Sequence, residues 1–188
     1  MGRIVYFTGG ARSGKSAHSE QYILDRHYDH KIYLATAIVF DEEMKERVKL
    51  HVERRGKEWD TLEAYRNLYE VVKTSMKEAT RGVILLDCIT NMISNLLLDE
   101  QEDWDNISQE RVQELEKYIL EEISTFLEEI KKTSYDLVVV SNELGMGLVP
   151  PYPLGRYFRD ICGRANQLVA DEAQESYFIV SGTKLRLK

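Results

Sequence analysis

The chain has 188 residues, 43% of them hydrophobic and 30% charged, with a formal net charge of −7. That length and apolar content suit one domain over residues 1–188, and the negative balance argues against general affinity for nucleic acid, so phosphate binding has to be local. No apolar run is long enough for a signal peptide or a bilayer span, and two distant cysteines with four histidines indicate neither a disulfide framework nor a zinc site. A reducing, cytoplasmic setting without stable membrane insertion is expected.

Ile4–Thr8 is a short apolar run read as a strand, and it breaks into Gly9-Gly10-Ala11-Arg12-Ser13-Gly14-Lys15-Ser16 before a helical pattern over Lys15–Arg26. This is the GxxxxGK[ST] spacing of a P-loop in its strand-to-helix context. Glycines let the backbone curl so that successive N–H groups point at phosphate oxygens, and the helix adds its positive N-terminal end. Lys15 is placed to reach the β and γ phosphates of a purine nucleoside triphosphate, and the Ser16 hydroxyl to ligate Mg²⁺. A glycine-rich turn that binds nothing is the bland alternative, and the flanking strand and helix argue against it.

The next strand is expected at Ile32–Ala35, followed by a helix over Glu42–Arg55. On that helix Met44, Val48, His51 and Arg55 share a face, and Arg47 and Arg54 flank His51 at i−4 and i+3. Cations disfavour imidazolium and leave a neutral nitrogen able to attack phosphorus. The same spacing also fits a histidine filling an amphipathic stripe, and spacing alone leaves the two open. After a helical pattern at Leu68–Ala79, the strand Val83–Leu86 runs into Asp87, the Walker-B arrangement of an apolar strand ending in a carboxylate near Mg²⁺. Asp87 as a cap for the following helix is the competing reading.

Helices are expected over Asn91–Leu98, Ser108–Lys132 and Leu154–Ala173, with a stripe of Val112, Leu115, Ile119, Ile123, Leu127 and Ile130 on the longest. Between the strand Leu137–Ser141 and the last helix, Asn142 to Pro153 holds two glycines around Met146 and then three prolines, a lid with a stiff end or a plain connection. Tyr177–Val180 and Lys184–Leu187 around Ser181 and Gly182 read as a hairpin. Strands alternating with helices imply an α/β fold, a mainly parallel sheet covered on both faces with ligands at the carboxyl ends of its strands.

Taken together, Thr8 to Ser16, Asp41-Glu42-Glu43-Met44 leading to Arg47 and His51, Leu86-Asp87-Cys88-Ile89-Thr90, Asn95-Leu96-Leu97 and Ser141 to Pro150 are more distinctive than a P-loop alone. With Phe158-Arg159-Asp160, Gly163-Arg164, Asn166-Gln167 and the closing Gly182 to Lys188, they resemble the bifunctional adenosylcobinamide kinase / adenosylcobinamide-phosphate guanylyltransferase family of cobalamin biosynthesis over nearly the whole chain. The resemblance implies a RecA-like P-loop NTPase fold with an antiparallel C-terminal edge hairpin, assembled as a homotrimer. It implies phosphorylation of adenosylcobinamide with ATP or GTP, then transfer of GMP from GTP to adenosylcobinamide phosphate through a guanylylated histidine matching His51. Its nucleotide contacts carry over to Gly9, Gly10, Ala11, Arg12, Ser13, Gly14, Lys15 and Ser16, to Thr36, Ala37 and Ile38, to Val52, Glu53, Arg54 and Arg55, and to Glu63 and Asp87. The stretch after His51 lacks the family's usual proline, and Gln174 stands where an Asp is usual; neither touches Lys15, Ser16, His51 or Asp87. Two other readings remain, a different P-loop small-molecule kinase in which His51 is structural, and a nucleotide-switch module acting on a protein partner.

Overall fold

The computed structural model describes residues 1–37, 58–78 and 80–188, and the expected helix 42–55 with its His51 lies outside the described residues. Seven strands, β1 (Ile4–Gly9), β2 (His30–Ala35), β3 (Trp59–Glu63), β4 (Gly82–Asp87), β5 (Tyr135–Asn142), β6 (Glu175–Val180) and β7 (Thr183–Arg186), form one sheet in the order β3-β2-β4-β5-β1-β6-β7. Every pair is parallel except β6–β7. Helices α1 (Lys15–Leu24), α2 (Leu68–Lys73), α3 (Ile89–Asp99), α4 (Gln109–Lys131) and α5 (Pro153–Glu172) connect them. This is the mainly parallel sheet with an antiparallel edge hairpin that the sequence predicts.

Strand alternation divides the core into two layers. Ile4, Tyr6, Ile32, Leu34, Ile84, Leu86, Leu137 and Val139 face α3, α4 and α5, while Val5, Phe7, Val83, Leu85, Val138 and Val140 face α1 through Tyr22 and Ile23. Because both faces are buried, the central strands read as unbroken apolar runs, which made them visible in the sequence. The α4 stripe is buried as expected, with Phe126 added, and Ser108 caps the helix by accepting from the Arg111 amide at 3.1 Å.

Two elements differ from expectation. The strand β3 has no sequence signal, since it lies at the sheet edge with Trp59 buried and Asp60, Thr61 and Glu63 exposed. The pattern over 68–79 predicts a longer helix than α2, which ends at Lys73. There the chain turns to other partners: Ser75 Oγ donates to Asp60 at 2.7 Å and the Lys77 amide to the Tyr135 hydroxyl at 2.8 Å.

The amino ends of the strands are closed by buried polar clusters. His30 lies between Tyr135 and Asp60, at 2.8 Å from each. Glu175 accepts from Arg3 at 2.8 Å, Tyr22 at 2.9 Å and Tyr177 at 2.5 Å. Burial by itself would raise the Glu175 carboxyl, but the Tyr177 and Tyr22 hydroxyls with Arg3 and Arg26 outweigh it and hold the group below its ordinary range. Tyr135 also fixes the identity of residue 82, because a Cβ on Gly82 would fall 2.0 Å from its ring. Gly82→Ala is therefore expected to destabilise the fold by about 1–3 kcal/mol through overpacking. Gly163→Ala, on an α5 position where a Cβ meets nothing within 4 Å, is expected to stabilise by roughly 1 kcal/mol. Urea unfolding of the two variants checks the opposite signs.

Candidate functional site

The P-loop takes its shape from the strands on either side of β1. Gly9 lies in register with Asn142 of β5 and Ile179 of β6. A Cβ there would sit 2.2 Å from the Ile179 carbonyl oxygen, so only glycine fits as the chain leaves the sheet. The loop then passes through Arg12 at φ 55 and Gly14 at φ 100, the N-cap of α1. The Ser13 amide donates to Gly10 O at 3.3 Å and the His18 amide to Gly14 O at 3.0 Å. A curled backbone running into a helix N-terminus is the arrangement that presents N–H groups to a phosphate.

Lys15 folds back over this loop. Its residue is 7% exposed and its Nζ donates to Gly10 O at 2.7 Å. Burial pushes the ammonium below its ordinary value, while Cys88 and Asp87 pull it up, so Lys15 is a poorly solvated cation held, among the described residues, by one loop carbonyl. Ser16, half-buried in the first turn of α1, uses its carbonyl to accept from Ser19 Oγ at 2.9 Å.

Asp87 ends β4, and β5 alone separates β4 from β1. The Tyr33 hydroxyl donates to its Oδ2 at 3.3 Å. The capping alternative does not hold, because Cys88 and not Asp87 is the N-cap of α3. At the end of β2, Thr36 is engaged on all sides: its N–H donates to Asp87 O at 3.2 Å, its hydroxyl to Cys88 O at 2.6 Å, and its carbonyl accepts from Asn95 at 2.6 Å. The Cys88 amide in turn donates to Thr36 Oγ1 at 2.8 Å. Ala37 is half-buried beside it, and Glu63 is exposed at the end of β3, in register with Ala35. The structure thus brings residues 9–16, Thr36, Ala37, Glu63 and Asp87 to one edge of the sheet. Ile38, His51, Val52, Glu53, Arg54 and Arg55 lie outside the described residues.

A chain of buried polar groups behind Asp87 went unassigned in the sequence. Cys88 Sγ lies 3.1 Å from Thr90 Oγ1, Asn142 Nδ2 donates to Thr90 Oγ1 at 2.7 Å, and Asn166 Nδ2 donates to Asn142 O at 3.0 Å. The available signal was an asparagine ending an apolar strand beside the P-loop strand. Immediately after it, the Glu143 amide donates to Gly9 O at 2.9 Å, tying the loop that follows β5 to the start of the P-loop. That loop exposes apolar side chains, Met146 at 80%, Leu148 at 96%, Val149 at 67% and Tyr152 at 59%. Arg156 holds its proline end through Pro151 O at 2.8 Å. Two cavities elsewhere among the described residues, of about 530 and 470 Å³, lie along α4 and share no residue with this edge.

Among solved structures, an ATPase from the type III secretion system of pathogenic bacteria superposes with a TM-score of 0.56 at 10% identity, over 99% of this chain and 57% of that one. Such a likeness concerns the fold, which is that of RecA-like P-loop ATPases. A sequence profile of the cobinamide kinase / cobinamide phosphate guanyltransferase family matches residues 5–187. The chain belongs to this family. It is 37% identical to the bifunctional adenosylcobalamin biosynthesis protein CobU of Escherichia coli K12, over 98% of this chain and 99% of that protein. It is 34% identical to the corresponding protein CobP of Pseudomonas aeruginosa, over 96% and 94%. As in the rest of the family, one chain is matched to two reactions, a kinase and a guanyltransferase.

The desolvated Lys15 generates a test within the ligand-free protein. Lys15→Met keeps the packing of the side-chain stem and removes a charge that burial disfavours. Its unfolding midpoint is expected at or above that of the wild type; a clear fall would show that the Gly10 contact outweighs the desolvation of the ammonium.

Proposed function

We propose that this chain performs both family reactions at the carboxyl edge of its sheet: phosphorylation of the adenosylcobinamide hydroxyl with ATP or GTP, then transfer of GMP from GTP to adenosylcobinamide phosphate. The observation that carries this reading is the juxtaposition, at one edge of the sheet, of the 9–16 loop, the buried Lys15 and the carboxylate Asp87.

In the first reaction the substrate hydroxyl attacks the γ phosphorus and a nucleoside diphosphate leaves. Backbone N–H groups of the loop and Lys15 bind the negative charge that gathers on the bridging and terminal oxygens as the bond breaks, and they are in place beforehand. In the second, a neutral nitrogen of His51 attacks the α phosphorus of GTP, pyrophosphate leaves, and a phosphate oxygen of adenosylcobinamide phosphate displaces His51. Ser16 and Asp87 supply one hydroxyl and one carboxylate, hard oxygen donors that suit Mg²⁺ when the remaining ligands are phosphate oxygens and water. No group of three or more His, Cys, Asp or Glu forms a metal cage among the described residues, which fits that shared mode. A Mg²⁺ ion held by Ser16 and Asp87 would supply charge neutralisation to the phosphates.

Within this reading Ala37, Ile38, Glu63 and residues 52–55 contact the nucleotide, and Thr36 acts by fixing the corner between Asp87 and Cys88. The loop carrying Met146, Leu148 and Val149 closes over the corrinoid, whose ring offers an apolar face. A homotrimer in the cytoplasm is the setting assigned; no helix among the described residues is long and apolar enough to cross a membrane.

Incubation with GTP labelled at the α phosphate, followed by denaturing electrophoresis, tests the reading. The wild type is expected to retain acid-labile label. His51→Ala should lose label and guanylyl transfer while keeping kinase activity, and Lys15→Ala should lower both reactions on the order of a hundredfold. A wild type that phosphorylates its acceptor without ever retaining label would favour the simple kinase. Asp87→Asn is expected to weaken the Mg²⁺ dependence of both steps; an unchanged metal response would remove Asp87 from the site. Hydrogen exchange at residues 145–149 should slow when adenosylcobinamide phosphate is added, and equal exchange in both states would make the loop a plain connection.

A further inference from the structure

The first reaction needs a group that the site has not yet been given. An alcohol that attacks phosphorus must shed a proton, and a positioned carboxylate that takes it speeds the step. The second reaction has no such need, because its acceptor is a phosphate oxygen already ionised near neutral pH. Of the carboxylates at the carboxyl edge, Asp87 is assigned to the metal and Glu63 stands on the edge strand β3. Glu143 follows β5 directly. Its amide donates to Gly9 O at 2.9 Å, and Lys15 Nζ donates to the next carbonyl, Gly10 O, at 2.7 Å. The residue therefore leaves the strand that lies between the cradle and Asp87, fastened beside the lysine that takes the terminal phosphates.

The backbone around Glu143 is braced from α5: Asn166 Nδ2 donates to Asn142 O at 3.0 Å and the Arg159 guanidinium to Gly145 O at 3.3 Å. On the sheet, α5 and α1 pack against opposite faces. In-line displacement brings the nucleophile in from the side opposite the leaving group, and the leaving nucleoside diphosphate is bound by the P-loop and the start of α1. The nucleotide contacts assigned to Ala37, Ile38 and Glu63 occupy the β2–β3 side. What is left to the acceptor is the β5–α5 side, where Glu143 stands at the root of the loop carrying Met146 and Leu148. Its carboxylate is held at one oxygen: the Gly145 amide donates to Oε1 at 2.6 Å, and Oε2 has no hydrogen-bond partner among the described residues. Residue 145 has to be glycine for this, since a Cβ there would lie 2.9 Å from Oε1 and push the carboxylate aside.

We propose that Glu143 is a catalytic residue, the general base of the phosphorylation step, with Oε2 taking the proton of the acceptor hydroxyl. The proposal rests on the two-reaction reading above. As the hydroxyl oxygen bonds to the γ phosphorus, the bond from that phosphorus to the β-bridging oxygen breaks and the nucleoside diphosphate leaves. The proton passes to Glu143 and from there to solvent. In guanylyl transfer Glu143 has no proton to take, so the two reactions of one site differ in their need for it.

Separate assays of the two reactions test this, one with adenosylcobinamide and GTP labelled at the γ phosphate, the other with supplied adenosylcobinamide phosphate and GTP labelled at the α phosphate. Glu143→Gln is expected to lower kcat of phosphorylation about a hundredfold, with KM for GTP and the rate of guanylyl transfer each within about threefold of the wild type. Glu143→Ala should lose phosphorylation to the same extent and regain part of it in sodium formate, a small carboxylate able to enter the vacated space, but not in sodium chloride. Gly145→Ala, which keeps the carboxyl group and displaces it, should fall between wild type and Glu143→Gln in phosphorylation. Equal loss of both reactions in Glu143→Gln would make the residue a prop of the loop and overturn the base. Unchanged phosphorylation, or an absence of rescue by formate, would overturn it as well. If the wild type transfers no γ phosphate to the acceptor, the kinase reading fails and the base with it.

Discussion

At Gly9 the backbone of β1 passes β6 so closely that no side chain can stand between them, and the rest of the site follows from that contact. A strand that must turn at this point, flanked by two parallel neighbours, throws its loop over the carboxyl edge and starts α1 at Gly14. The Glu143 amide, bonded to Gly9 O, fastens the loop after β5 to the same residue. One backbone position therefore sets the P-loop and the apolar loop beside it. A parallel sheet suits this, because all its central strands end at one edge and each can deliver a single residue there.

The two edges of the sheet are built differently. Tyr135 and Glu175 gather hydroxyl, imidazole and guanidinium partners at the amino edge, so the His30 ring and the Glu175 carboxylate are matched within the protein. At the carboxyl edge, among the described residues, Lys15 is buried against a loop carbonyl and Asp87 accepts one long hydrogen bond, from Tyr33. Groups left underused in the free protein are the ones able to gain on binding a charged ligand. The fold concentrates its satisfied polar chemistry where it needs stiffness and its unsatisfied chemistry where a ligand enters.

Much of this was legible in the sequence, for physical reasons that differ by element. The central strands announced themselves because burial on both faces demands unbroken apolar runs, and residues 9–16 because phosphate binding tolerates few alternatives in a loop of that length. The edge strand β3 was silent, since its pairing with β2 is carried by backbone and only Trp59 is buried. The end of α2 at Lys73 depends on partners 15 and 58 residues away in sequence, Asp60 and Tyr135, which no local pattern records. The same holds for the site. Asp87 could be read from its strand, but whether it capped α3 or stayed available was a question of geometry. Thr36, Thr90 and Asn142 join residues separated by dozens of positions, so periodicity could not pair them.

Cys88 stands immediately behind Asp87, 5% exposed, with its thiol pushed up to about 11 by burial and by the neighbouring carboxylate. Such a thiol is protonated at neutral pH and closed to reagents, so it is chemically silent while the corner between β2, β4 and α3 stays shut. Cys162, also buried and also pushed up by its surroundings, is silent for the same reason on α5. The protein thereby carries two built-in clocks in different parts of its core. The rate at which an alkylating reagent reaches Cys88 measures how often the wall behind the carboxylate opens, and its ratio to the rate at Cys162 distinguishes a local breath of that corner from unfolding of the whole chain.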